Sequence, residues 1–251
     1  FNSILAVVGV LSALYGLLQY VGCIEIQSYF PVTGSFDNPA GFAASIVLCY
    51  PFLLCHSSNG KRRTFKVMAC LLLIIVVILS GSRTGVFTLC VVTLLFYALR
   101  YRKLIHKRRI FFISGGALFL IGLFIGLIYL KPASASGRVL IWKVSAGLCK
   151  EHIIQGNGLG SFKADYMPEQ AKYLSSSYAD ESDRILAGNT NHPFNEYLLL
   201  LIEQGLIGIA LFLLSLIAVF RSNVVFDTPA LLTLVSIAIF SCFSYPFKYA
   251  F

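Results

Sequence analysis

Residues 190–209 read TNHPFNEYLLLLIEQGLIGI, and here the chain turns from its one long polar segment into a long apolar run. Pro193 suits the first position of a helix, where a missing N–H costs nothing. That register places His192 at the helix cap and Asn195 one turn in, near the same face. The stretch predicts a membrane helix whose polar N-terminal end is a candidate reaction site. The alternative is an ordinary capped helix end.

Three residues further along this run are informative. Glu203 lies among apolar residues, where a carboxylate usually faces protein or water rather than lipid. Gly205 and Gly208 leave room for another helix to approach closely. We therefore expect this helix to pack against other parts of the chain.

The composition is that of an integral membrane protein. Of the 251 residues, 57% are apolar and only 12% are charged, whereas a soluble domain has roughly 25% charged residues. The chain begins at Phe1 and enters an apolar stretch almost at once, so we expect an N-terminal part to precede it. Residues 1–22 lack a basic leading region and a small-residue cleavage site, which argues against a signal peptide.

The net charge of +9 comes largely from two clusters of basic residues. Four lie within residues 61–66 and six within residues 100–109, and each cluster sits between two apolar spans. This is the pattern of cytoplasmic loops in membrane proteins, so it predicts that the long polar segment lies on the opposite side. The same distribution argues against a nucleic-acid partner.

We predict an all-α polytopic membrane protein with about seven transmembrane helices. Residues 1–130 hold five of them with short loops, residues 131–193 form one large outer loop with short surface helices, and residues 194–251 hold the last two. The predicted spans are 3–22, 40–56, 65–80, 84–100, 110–130, 194–220 and 229–246.

The short outer connections offer two candidate substrate contacts. Arg83 is the only charge of the tight turn at residues 80–85. Positive-inside sorting disfavours a cation there, and a guanidinium can bind a phosphate through two hydrogen bonds. The alternative is an anchor to lipid headgroups. Asn38 precedes the second span, where capping of that helix is favoured over contact with a substrate.

The large outer loop offers a second arginine. Apolar residues within 137–150 recur at helical spacing and predict a helix lying on the membrane surface. Arg138 sits at the beginning of that helix. A cation there opposes the helix dipole, which favours a role in binding a ligand over a solvated charge.

Other features of the outer loop are interpreted as structural. Residues 156–160, GNGLG, form a tight turn and not a nucleotide-binding loop, because no strand precedes them. The acidic run at residues 180–183 is interpreted as a solvated loop, because no histidine is near to complete a metal site. Cys23 and Cys149 fall on the same predicted side, and a disulfide between them stays open.

The polar motifs, taken in order, resemble those of the O-antigen ligase family of polytopic membrane glycosyltransferases. The matching pieces are FDNPAGFAA, LSGSRTG, SGRVLIW, HIIQGNGLGSF and NHPFNEYLLLLIEQGLIG, which together span residues 36–208. The resemblance implies a glycan donor linked to undecaprenyl diphosphate, used at the periplasmic face of the bacterial inner membrane. The family includes ligases acting on lipid A-core, O-antigen polymerases and protein O-oligosaccharyltransferases, and ligation to lipid A-core is the activity that we expect first.

The resemblance also implies roles for individual residues. Arg83, Arg138 and His192 correspond to two periplasmic arginines and a histidine that the family's ligases use without a metal or cofactor. Many members carry histidine directly before the asparagine of the last motif, where this chain has Phe194. His192, three residues before Asn195, is the nearby histidine and the candidate general base, with another group as the alternative. Asn195 and Asn38 are candidate contacts to the substrate.

The chemistry of a sugar diphosphate is compatible with those residues. The leaving group departs with negative charge, which guanidinium groups can stabilise, and a histidine can accept the proton of the acceptor hydroxyl. A single displacement inverts the anomeric centre. The alternatives are a transporter of polar or lipid-linked solutes and a structural membrane subunit. Transporters often carry internal repeats and charges at mid-membrane, whereas this sequence shows no repeat and only Glu203 clearly within a span.

Overall fold

The computed structural model describes residues 2–25, 30–56, 60–105, 109–221 and 227–248, and every regular element within those ranges is helical. The α-helices, numbered along the chain, are α1 Asn2–Tyr20, α2 Pro39–Cys55, α3 Lys61–Leu79, α4 Arg83–Arg100, α5 Arg102–Ile105, α6 Arg109–Leu130, α7 Pro132–Glu151, α8 Ser161–Leu174, α9 Glu181–Leu186, α10 Glu196–Arg221 and α11 Thr228–Phe243, before a 3₁₀ helix at Pro246–Lys248.

Four helices in the described part of the chain are long and apolar enough to cross a membrane. They are Ser3–Tyr20, Arg83–Arg100, Ile110–Leu130 and Glu196–Arg221. The predicted all-helical, multi-pass architecture is therefore confirmed. The three other predicted spans fall on α2, α3 and α11, and their crossing of the membrane stays a prediction.

Tertiary contacts divide the chain into two units. The first unit comprises Phe1–Leu127, Phe226–Phe240 and Lys248–Phe251, and the second comprises Ile128–Val225 and Ser241–Phe247. In the first unit, α2 is the central helix and is buried along most of its length. Its neighbours come close because glycines face it, with Gly16 against the Phe42 ring and Gly85 against Ala43.

The second unit is built around α7, α8 and the first half of α10. Its core is a set of apolar side chains from these three helices, namely Leu140, Val144, Leu148, Cys149, Phe162, Tyr166, Leu199 and Ile202. The helix predicted within residues 137–150 is thus confirmed, but it starts earlier, at Pro132. Its location on the membrane surface stays a prediction. Arg138 consequently lies in the second turn of α7 and not at its beginning. The helix-dipole argument for its role was wrong, because that effect is confined to the first turn.

α10 is broken at Gly205. This residue has φ +64° and ψ −162°, a conformation outside the helical region that glycine tolerates and other residues rarely adopt. A Cβ atom at this position would also collide with the backbone of Ile154 and Gly156. The space that the sequence predicted for an approaching helix is therefore occupied by a loop.

That loop, residues 152–160, is called the glycine loop below. Two backbone amides that follow the break donate to its carbonyl groups, and two of its own amides donate to carbonyl groups that precede the break. The pairs are Leu206 N to Ile153 O (2.9 Å), Ile207 N to Ile154 O (3.1 Å), Asn157 N to Ile202 O (2.9 Å) and Gly158 N to Glu203 O (2.9 Å). The loop thus satisfies backbone groups at the break that an unbroken helix would pair internally.

Two side chains reinforce this hydrogen-bonded contact between the glycine loop and α10, which is called the joint below. The Glu203 carboxylate, predicted to face protein or water, accepts a hydrogen bond from Gly160 N at 2.9 Å. Asn157 Nδ2 donates to Leu148 O at 2.9 Å, which ties the glycine loop to the last turns of α7. The loop consists of tight turns, as predicted, and Gly156, Gly158 and Gly160 all have positive φ.

The break yields a test by substitution. Gly205→Ala should lower the free energy of unfolding by about 1–3 kcal/mol through the left-handed backbone alone, and by more through the collision with the glycine loop. Gly122→Ala in α6 is the matched control, since a Cβ there comes within 4 Å of nothing beyond the backbone of its own helix turns. Thermal unfolding of the detergent-solubilised proteins measures the difference. Equal unfolding temperatures for the two variants would show that the contact between the glycine loop and α10 does not require glycine at position 205.

Candidate functional site

The N-terminus of α10 differs from the prediction. The helix begins at Glu196, and Asn195 is its cap, because Asn195 Oδ1 accepts a hydrogen bond from Leu198 N at 3.0 Å. The predicted cap at His192 with Pro193 in the first helical position was wrong. Proline allows a helix to start, but the asparagine two residues later supplies the side-chain acceptor that defines the start.

Phe194 stands between the proline and the cap in a left-handed conformation. Its φ is +54°, and it is the one non-glycine residue with positive φ among the residues that the structure describes. Such a conformation costs about 1–3 kcal/mol and persists only where surrounding contacts hold it. At this point the chain turns sharply before the helix, which sets the direction of the Phe194 ring.

Four side chains form a series of contacts that we call the cation–aromatic cluster: Arg138 meets Phe194, Phe194 meets Tyr245, and Tyr245 meets His192. The Arg138 guanidinium carbon lies 5.2 Å from the Phe194 ring centroid. The Phe194 and Tyr245 rings pack edge to face, with 5.3 Å between their centroids. His192 stacks on Tyr245 at 4.4 Å. The structure thus brings two of the predicted site residues, Arg138 and His192, to a single cluster.

Two hydrogen bonds hold this cluster from the side of the loop. Trp142, one turn beyond Arg138 on α7, donates its indole N–H to Pro193 O at 2.8 Å. Thr190 Oγ1 donates to His192 O at 2.9 Å. The first bond joins α7 to the segment that carries His192, so the arginine and the histidine are positioned by one connected framework.

A third bond brings in a residue that the sequence did not reveal. Phe247 N donates to the Glu196 carboxylate at 3.1 Å, which fastens the segment after α11 to the first turn of α10. Tyr245 belongs to this segment, and the sequence assigned it to the end of the last predicted span. The serine and proline on either side of Tyr245 were the available signal, because such residues mark a turn.

The other two predicted site residues belong to the first unit. Arg83 is the first residue of α4, is half-buried and donates from one guanidinium nitrogen to Leu127 O at 3.3 Å. Asn38 caps α2, because its Oδ1 accepts from Gly41 N at 2.9 Å, as favoured from the sequence. A shared diphosphate between Arg83 and Arg138 stays a prediction.

The acidic run at residues 180–183 is not uniformly solvated, and for Asp183 that interpretation was wrong. Asp183 is buried. Its carboxylate accepts from the Tyr173 hydroxyl at 2.7 Å and from Lys143 Nζ at 3.1 Å. Part of the run folds into the short helix α9, which packs against α7. Where a solvated loop was predicted, the second unit therefore has an ordered helix.

The described residues contain no group of three or more His, Cys, Asp or Glu side chains placed to hold a metal ion. Independence from metal therefore stays a prediction that only activity can test. Cys23 is exposed and Cys149 is buried, and both are free thiols.

Comparison with known proteins agrees with the resemblance seen in the sequence. A family model described as O-antigen ligase matches residues 68–213, which is more than half of the chain. The matched segment includes the glycine loop, the break in α10 and three members of the cation–aromatic cluster, whereas Tyr245 lies outside it. No curated protein and no solved structure matches the chain.

The buried carboxylate of Asp183 predicts a dependence of stability on pH. Hydrogen bonds from the Tyr173 hydroxyl and from Lys143 hold the pKa of Asp183 below its ordinary value. The unfolded chain therefore takes up the proton first as the pH falls. The stabilisation is complete above about pH 5 and is lost as the pH drops through the lowered pKa.

Asp183→Asn should accordingly lower the unfolding temperature at pH 7, and its deficit relative to the parent should shrink as the pH falls towards about 3. Exposed Asp165→Asn in α8 serves as the control. Thermal unfolding across this pH range measures both. A difference in unfolding temperature that stays constant with pH would show that the ionised Asp183 carboxylate does not stabilise the fold.

Proposed function

Because the chain belongs to the O-antigen ligase family, we propose that it transfers a glycan from undecaprenyl diphosphate to an acceptor hydroxyl at the periplasmic face of the inner membrane. Membership of the family makes it a multi-pass membrane glycosyltransferase of the O-antigen ligase or polymerase type, with a lipid-linked donor. The proposal adds the acceptor, the orientation and the residues that act. Lipid A-core is the acceptor that we propose first, and a growing glycan or a protein are the alternatives.

The observation that carries the proposal is the cation–aromatic cluster. It joins a guanidinium and an imidazole at the polar end of a long apolar helix, and a lipid diphosphate lies at the same kind of boundary between polar and apolar surroundings. The Phe194 ring holds the Arg138 guanidinium in place through a cation–π contact. A guanidinium can bind phosphate oxygens through two parallel hydrogen bonds.

The proposed reaction is one displacement at the anomeric carbon of the donor sugar. The acceptor oxygen forms the new bond to that carbon as the bond to the diphosphate oxygen breaks. His192 accepts the proton of the acceptor hydroxyl, and undecaprenyl diphosphate leaves with its negative charge stabilised by Arg138. Arg83 is proposed as the second guanidinium for that charge. Asn195 and Asn38 are proposed as substrate contacts only secondarily, since both side chains already cap helices.

The orientation rests on the two basic clusters. Residues 61–66 and 100–109 are proposed to lie in the cytoplasm, which puts the segment that carries Arg138 and His192 in the periplasm. In a background whose native cysteines are replaced by serine or alanine, single cysteines introduced at residues 175–180 should react with a membrane-impermeant maleimide added to intact cells, whereas cysteines at 61–66 should not. The reverse pattern would overturn the orientation.

Transfer itself is tested with the purified full-length protein in liposomes. An undecaprenyl diphosphate-linked glycan is supplied with lipid A-core, a free glycan or an acceptor peptide, and mass spectrometry identifies the product. We expect a product with lipid A-core that forms equally in the presence of EDTA. Absence of product with every acceptor would refute the proposal, and loss with EDTA that a divalent ion restores would refute the metal-free mechanism.

Variants of the two arginines sharpen the assay. Arg138→Ala and Arg83→Ala should each lower the rate about 10²–10³-fold. The lysine variants should also be impaired, because lysine keeps the charge but loses the two-pronged geometry. The double alanine variant should be less than additive if both groups act on one leaving group. Exposed Arg184→Ala in α9 is the control. Near-normal transfer by a well-folded Arg138→Ala protein would rule out its proposed role.

Tyr245 is proposed to position His192 through ring stacking. Tyr245→Phe keeps the ring and should transfer at close to the parent rate, whereas Tyr245→Leu should be slower. Identical rates for the two variants would show that stacking plays no part.

A further inference from the structure

The two halves of α10 have different surroundings, and the change falls at the break. Before Gly205, the helix is packed into the core of the second unit through buried Leu199 and Ile202. After it, residues 206–221 contain no charge until Arg221, and nearly all of their side chains are exposed. An exposed, uncharged helical face of this kind belongs in lipid.

The length of the second half sets the depth of the break. Residues 206–221 measure about 24 Å at 1.5 Å per residue, whereas the hydrocarbon core of a bilayer is about 30 Å thick. With Arg221 at the far boundary, Gly205 lies about one helical turn inside the near boundary. At that depth an unsatisfied backbone group costs several kcal/mol, because no water is available to it. The hydrogen bonds from the glycine loop meet this requirement.

The glycine loop is itself suited to that depth. No charged residue occurs from Ile153 to Phe162. The three large apolar side chains of the loop point outwards, with Ile153 47% exposed, Ile154 64% and Leu159 81%. The carbonyl groups of the two isoleucines accept from Leu206 and Ile207, whose side chains are also exposed. The apolar patch of the loop is therefore continuous with the exposed face of the helix.

We propose that the glycine loop is seated in the bilayer, where Ile153, Ile154 and Leu159 contact lipid acyl chains in the leaflet nearest the cation–aromatic cluster. Lipid is the partner that the observations favour, because the three apolar side chains extend an exposed helical face that is apolar enough to lie in the membrane, and no charged residue occurs from Ile153 to Phe162. The loop that the sequence indicated as a simple turn is thus a membrane-contacting element that sets the height of the second unit.

The depth of the glycine loop in the bilayer sets the level of the cation–aromatic cluster relative to the donor, an inference that rests on the proposed function. Residues 195–205 measure about 15 Å along the first half of α10, so Asn195 lies at most roughly 10 Å outside the hydrocarbon boundary, within the layer of lipid headgroups. The diphosphate of a lipid-linked donor lies at the same level. The seating of the loop would therefore bring Arg138 and His192 to the donor without removing the diphosphate from the membrane surface.

Photo-crosslinking tests the seating of the loop independently of transfer. Benzoylphenylalanine replaces Ile154 or Leu159 in the full-length protein, and Tyr178 or Ile185 as controls. The controls lie in the same unit and are similarly exposed, at 82% and 79%, but they belong to the segment around α9. All four sites are exposed, so the larger side chain has room to fit. The vesicles contain phosphatidylethanolamine and phosphatidylglycerol, and peptide mass spectrometry counts lipid adducts.

We expect about tenfold more lipid adduct at Ile154 and Leu159 than at Tyr178 and Ile185, because only the former reach acyl chains. Equal yields at the four sites would overturn the proposal, and so would adducts to protein in place of lipid at Ile154 and Leu159. Since the assay reads contact with lipid and not product, a failure here leaves the transferase proposal standing. A failure of transfer likewise leaves this result unaffected.

Discussion

The backbone hydrogen bonds across the break in α10 are the interaction on which the second unit depends. The glycine loop connects the end of α7 to the start of α8, and it bonds to α10 on both sides of Gly205. One short segment therefore sets the positions of three helices relative to one another. Arg138 is carried by α7 and His192 by the approach to α10, so their meeting around Phe194 and Tyr245 follows from this joint together with the bond from Trp142.

The joint also explains why a carboxylate is present in an apolar run. Glu203 would be costly in lipid, but the amide of Gly160 and the surrounding backbone give it a polar environment inside the protein. Because Glu203 lies only two residues before the break, both the backbone and a side chain of α10 hold the glycine loop. Glu196 likewise accepts a hydrogen bond from a backbone amide, that of Phe247, and so holds the segment containing Tyr245.

Much of this arrangement was available from the sequence. Apolar runs predicted the helices, the Asn-Pro pair predicted the cap of α2, and motif order predicted the family. What was missed depends on contacts between distant residues. A glycine within an apolar run is compatible with a regular helix, and only the glycine loop, far earlier in the chain, shows that Gly205 breaks it. The cap at Asn195 was missed because Pro193 fits a helix start equally well, and Tyr245 because its partners are distant in sequence.

The central claim is that the cation–aromatic cluster receives the lipid-linked donor. Hydrogen–deuterium exchange of the full-length protein in nanodiscs, with and without saturating undecaprenyl diphosphate-linked glycan, tests it most directly. The account predicts slower exchange at residues 190–198 and in the second turn of α7, with no change at residues 175–180. Unchanged exchange at 190–198 under saturating donor, or protection confined to other segments, would contradict it.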